Sequence, residues 1–187
     1  MSRVSTRTQQ RTASTPPRTP LPAAPFLLRG EVARTVSLTV TDLRERWASH
    51  RADVVFHCTT DGPRHHTFEG ALLRDVIAAA SPDFEARRRK DRTRYLLAVN
   101  GGDGHHTVLS WAEVDADFGN VPILLATSMD GRGLDAEGSQ LVVPSDHCGA
   151  RYVSAITSVW LGAYAGPPLP PLPPVPTTGT AGTSRRA

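Results

Sequence analysis

Proline sets the outer limits of any fold this chain can adopt, because it has no backbone N–H and a locked φ. The 187 residues contain 16 prolines: five fall in residues 16–25, seven in 167–176 and only four in the long stretch between. Residues 1–28 add four arginines, no acidic residue and many Ser and Thr. A segment of that composition buries too little apolar surface to offset its ordering entropy. The expectation is a disordered basic arm at 1–28, one domain at 29–165, and a disordered Pro-rich tail at 166–187 that favours polyproline II. At 39% apolar, the chain can bury one ordinary core.

The same division explains the charge. The formal net charge is +3, yet residues 30–166 hold 14 Lys and Arg against 18 Asp and Glu, and the flanks supply the other seven cations. A mildly acidic domain is poorly suited to gripping a polyanion, so no nucleic-acid partner is expected. No run approaches the ~20 apolar residues of a membrane span. The first residues lack the apolar stretch of a secretory signal, and two cysteines do not make a disulfide framework. A cytoplasmic protein with reduced thiols is the expectation.

Within the domain, Gly30 to Val40 alternates as a half-buried strand, and Thr41-Asp42 offers a cap for a short helix from Leu43 to Ala48. Asp53 to Thr59 reads as a second strand, followed by a polar loop from Thr59 to Thr67. Leu72, Leu73, Val76, Ile77 and Ala80 form one helical stripe, stopped by Ser81-Pro82. The basic stretch 87–94 reads as a solvated connector. Tyr95 to Val99 and Thr107 to Leu109 read as strands around the turn Gly101-Gly102-Asp103-Gly104. Ser110 and Glu113 predict a capping box for a helix from Trp111 to Phe118. Val121 to Thr127, Gln140 to Val143 and Arg151 to Leu161 complete the strands. Trp47, Trp111 and Trp160 read as core. Dominant strands, short scattered helices and no βαβ repeat predict an α+β domain with a mixed, curled sheet.

Cys58 is the residue whose chemistry is hardest to dismiss. It closes the strand Asp53-Val54-Val55-Phe56-His57-Cys58 and precedes a donor-rich stretch, where a soft metal or reactive centre can be held. A buried structural cysteine fits the same pattern. A zinc site drawn from Cys58, His65 or His66, and Cys148 lacks any CxxC or HxxxH spacing to support it.

The run from Leu28 to Tyr164 resembles the molybdopterin-binding oxidoreductase domain of the sulfite oxidase family. The likeness rests on an ordered series of short pieces. These are Gly30-Glu31-Val32, Ser37 to Leu43, Val55 to Cys58, Phe68 to Ile77, Asn100 to His105, Leu124-Leu125-Ala126, Asp130-Gly131, Leu141 to Asp146 and Arg151-Tyr152-Val153. The short, stand-alone bacterial members are the most similar. The resemblance implies a sulfite oxidase-like fold, a molybdenum-molybdopterin cofactor, and Cys58, twelve residues before Gly70, as the metal ligand. Arg64, His65 and His66 would then shape a substrate entrance. The turn Gly101, Gly102, Asp103, Gly104 with His105, and the bidentate guanidinium of Arg151, would hold the cofactor's phosphate. A plain hairpin turn and a surface arginine are the competing readings of those residues.

The function so implied is a molybdopterin-dependent oxidoreductase performing a two-electron redox step or oxygen-atom transfer on a small-molecule substrate. With no haem-attachment motif and no cysteine quartet, electrons would leave through a separate partner. The alternative is a non-catalytic binding or scaffold domain that kept the fold and lost the cofactor, docking through its Pro-rich tail.

Overall fold

The computed structural model describes residues 22–58, 62–85 and 88–166, with side chains at all of these except 56–58. The expected tail at 166–187 and most of the expected arm thus lie outside the described residues. Two five-stranded sheets carry the domain. The first runs in the order β2 (Val36–Leu38), β1 (Phe26–Gly30), β10 (Ile156–Ala163), β5 (Tyr95–Gly101), β6 (His106–Ser110). The second runs β3 (His50–Cys58), β4 (Gly62–Leu72), β7 (Leu124–Met129), β8 (Arg132–Gly133), with β9 (Gln140–Val142) also on β7. β1 pairs with β10 in parallel, and the other pairings are antiparallel. Three helices, α1 (Val40–Arg46), α2 (Leu73–Ala79) and α3 (Trp111–Val114), are short. The architecture is α+β.

The alternation in these strands dictates the core. Leu97 and Val99 of β5, Val159 and Leu161 of β10, and Leu28 of β1 are all buried, as are Phe68, Leu124 and Leu125 of the second sheet. The α2 stripe contributes Leu73, Val76 and Ile77 to the same cluster. At the β4–β7 crossing the backbones approach so closely that a Cβ on Gly70 would sit 2.2 Å from the Leu125 carbonyl oxygen. Only glycine fits there.

Several expected boundaries move. β1 begins at Phe26, whose side chain is buried with that of Leu28, so the last residues assigned to the arm belong to the sheet. The expected strand from Gly30 to Val40 is broken, because Gly30 sits at φ +112° and the chain bends before β2. The α1 cap is Thr39 rather than Thr41, leaving Trp47 just past the helix end and only half-buried. The short helix expected at Trp111–Phe118 is shorter still, a single turn at Trp111–Val114. Asp115 ends it by accepting the Trp111 indole N–H (2.7 Å) and the Arg92 guanidinium (2.8 Å). Arg89–Arg94, expected as a connector, forms a 3-10 turn held by that Arg92 pairing. Arg151 lies in the turn Gly149–Arg151, not in a strand. β10 starts only after Ala155, which adopts φ +48°. No helix among the described residues is long and apolar enough to cross a membrane.

Candidate functional site

The site expected around Cys58 is built on a hairpin, not on a strand followed by a loop. β3 and β4 pair without a break, from His50 opposite Gly70 to Cys58 opposite Gly62, so residues 62–67 are strand. Gly62 at φ +74° helps the chain reverse, and the β-formers Val54, Val55 and Thr67 suit the pairing that follows. β7 supports β4 only from Phe68 to Leu72, so the outer half of the hairpin projects beyond its sheet.

Strand periodicity then sorts the predicted residues. In the unbroken register, positions 52, 54, 56 and 58 of β3 fall in one alternate set with 62, 64, 66 and 68 of β4. Val54 and Phe68, both buried, mark that set as the core-facing one. Arg64 and His66 belong to it by register, but Arg64 is exposed and His66 half-buried, so the set faces the core only at its inner end. His65 falls in the opposite set, beside the exposed Val55. The side chain of Cys58, with residues 59–61, lies outside the described residues.

The described part of this hairpin carries acidic residues that sequence reasoning passed over. His66 Nδ1 lies 2.8 Å from Asp130 Oδ2, and its ring tilts against Phe68 at 6.1 Å between centroids. Asp130 Oδ1 also accepts the Thr67 amide at 2.9 Å. That backbone donor, and His66 after it, hold the Asp130 carboxyl below its usual range. The Thr67 hydroxyl donates to Asp53 Oδ1 at 2.6 Å. Asp53 is held low first by Arg51 and then by Thr67. A cleft of about 220 Å³ lies here, lined by Asp53, Val54, Val55, His65, His66, Thr67 and Asp130. Two carboxylates on its wall oppose an anionic ligand.

The second predicted group lies at one end of the other sheet. The turn from Gly101 to Gly104 closes the β5–β6 hairpin, and its three glycine amides are engaged internally. Gly101 N–H donates to the His105 carbonyl at 2.8 Å, Gly102 N–H to Ala155 at 2.9 Å, and Gly104 N–H to Gly101 at 3.3 Å. The His105 amide donates to Asp103 Oδ1 at 2.9 Å, and its ring Nε2 reaches the Ala150 carbonyl at 3.0 Å. That last contact brings the turn against the segment holding Arg151.

Arg151 itself puts three of its five N–H groups into carboxylate pairs. Its Nε and Nη2 donate to the two carboxylate oxygens of Asp146 at 2.8 and 2.6 Å, and Nη1 donates to Glu113 at 3.2 Å. Asp146 chiefly, then Glu113, drive its pKa further upward against the cost of desolvation. Glu113, expected to complete a capping box on α3, faces Arg151 instead. Adjacent Tyr152 packs edge-on against Phe68 at 6.2 Å and donates to the Val143 carbonyl at 2.9 Å. Burial, and after it the Asp146 charge, push its phenol up to about 12.

Phe68 therefore touches both neighbourhoods, His66 on the hairpin and Tyr152 beside Arg151. Among the described residues no three His, Cys, Asp or Glu side chains converge as a metal site would need, and Cys148 is an exposed free thiol. No protein-family model matches the chain, and no curated protein matches it.

Proposed function

We propose that this chain is a molybdopterin-dependent oxidoreductase domain with a sulfite oxidase-like fold, in which Cys58 is the metal ligand. The observation that carries the reading is the hairpin register, which assigns position 58, Arg64 and His66 to one alternate set, the set that leads inward to Phe68. A thiolate suits a soft, dithiolene-bound metal, and coordination favours its deprotonated form. The bound cofactor would supply the two-electron redox or oxygen-atom-transfer chemistry. Arg64 offers bidentate donors to an oxyanion substrate. His66, held by Asp130 at 2.8 Å, offers an imidazole at the same face. His65, in the opposite alternate set, lines the same cleft as His66 and stays part of the proposed entrance.

The fit is uneven. At the metal end the donor types suit the group. At the phosphate end they do not, because Arg151 and four amides of the 101–105 turn already have partners inside the protein. A cofactor phosphate at Arg151 would meet the carboxylates of Asp146 and Glu113, which oppose an anion there. That same saturation supports a second reading, a binding domain that kept the fold and holds no cofactor.

Metal and pterin analysis separates the two. Protein purified from a host competent in pterin-cofactor synthesis is expected to carry near-stoichiometric molybdenum, and Cys58→Ser to lose it while still unfolding in one cooperative transition. A wild type without molybdenum, and without pterin fluorescence after denaturation, would leave the binding-domain reading alone.

A further inference from the structure

A cleft of about 160 Å³ lies between β2, α2 and the end of α1. Its floor is apolar and buried: Leu28, Leu38 and Val76. Its rim is Arg34, Arg46 and Trp47. The Trp47 indole N–H donates to the Asp75 carbonyl at 3.3 Å, which holds the ring upright at the edge. Arg46 stacks over that ring at 4.7 Å, and Arg34 donates to the Ala79 carbonyl at 3.2 Å. The site is an apolar slot walled by an aromatic ring, with arginines, which are donors only, around the mouth.

The end of the chain offers a matching ligand. Residues 167–176 read Pro-Pro-Leu-Pro-Pro-Leu-Pro-Pro-Val-Pro, an unbroken three-residue repeat. Polyproline II has three residues per turn, so Leu169, Leu172 and Val175 would line one edge as an apolar ridge. Seven of these ten residues are proline and bring no N–H, so the strand presents carbonyl acceptors with few donors. A receptor for it must supply apolar surface, an aromatic wall and donors. The cleft has all three.

We propose that this cleft is a polyproline-II docking site and that its occupant is the chain's own segment 167–176. Reach supports an intramolecular contact. β10 runs parallel to β1 and leaves the sheet beside it, where the Ala163 amide donates to Glu31 at 2.9 Å, three residues before Arg34. β2 lies two strands over from β10, roughly 10 Å at ~4.8 Å per strand. Gly166, the last residue before the segment, adopts φ +67°. Ten residues at ~3.1 Å each then span about 31 Å, more than the gap. The bulk of one Leu or Val with a flanking proline ring suits the slot, and tethering raises its effective concentration into the mM range.

The indole N–H signal of Trp47 in ¹⁵N-labelled full-length protein tests the contact, with Trp47→Phe to assign it. The full-length variant carrying Leu169→Ser, Leu172→Ser and Val175→Ser is expected to shift that signal, while the indoles of Trp111 and Trp160 stay put. A synthetic peptide of residues 166–177 added to this variant should return the signal to its wild-type position. Arg46→Gln in the same background should weaken that peptide titration at least tenfold. Identical Trp47 signals in the wild type and the triple variant would overturn the proposal. So would a wild-type signal that moves with protein concentration, which would assign the contact to a second copy of the chain.

Discussion

Asp115 shows what a single side chain does in this protein. It is only 4% exposed, yet it carries a carboxylate. Burying such a charge is costly unless hydrogen bonds replace the lost water. Here three donors do so: the Trp111 indole, the Arg92 guanidinium and the Asp117 amide, all between 2.7 and 2.9 Å. Arg92 also pairs with Asp117, linking the 3-10 turn before β5 to the segment after α3. Removing the carboxylate strands a buried indole N–H and leaves Arg92 with one partner. Asp115→Ala should therefore lower unfolding free energy by about 2–4 kcal/mol, measured by urea denaturation. Asp115→Asn, which still accepts from the indole, should cost less. Equal losses in the two variants would show that shape, not hydrogen bonding, sets the cost.

Among the elements, α1 depends most on its ends. Seven residues are too few to be helical alone. Its capping box compensates: Thr39 Oγ1 accepts the Asp42 amide at 3.0 Å, and Asp42 accepts the Thr39 amide at 2.8 Å. The Thr39 donors hold the Asp42 carboxyl below its usual range. Its stabilising contribution is thus present above the unfolded pKa and fades as pH falls through the folded one. Thr39→Ala should cost about 1 kcal/mol near neutral pH, and less at a pH where Asp42 is protonated. A loss independent of pH would rule out the reciprocal box. The hairpin of β3 and β4 contrasts with this helix, since its outer half has only one sheet neighbour along β4 and relies on Asp130 to pin Thr67 and His66.

Across the whole molecule, β1 ties the ends of the domain together. It is the strand between β2 and β10, and the only parallel pairing described is the one it makes with β10. Phe26 at its start is buried in the common core. Phe26→Ala should cost about 3–5 kcal/mol, read as a drop in melting temperature. A change under 1 kcal/mol would place the domain's edge further along the chain, where proline content alone had put it.

Sequence patterning was sufficient for the elements whose signal is local. The α2 stripe, the β5–β6 hairpin around its glycine turn, and the buried run of β7 all follow from side-chain period. So does the α+β class. Other features had no local signal to read. Arg64 to Thr67 lack apolar alternation and become strand only because β3 lies alongside. Phe26 follows a proline-rich stretch, and its burial is decided by β2 and β10, which lie on either side of its strand. The pairing of Arg151 with Glu113 and Asp146, and of His66 with Asp130, joins residues up to 64 positions apart. Periodicity reports which face of an element is apolar, and this chain states that plainly. Which charges meet, and whether a guanidinium is left for a ligand or spent inside, depends on how separate elements come to lie together, and that only the folded chain decides.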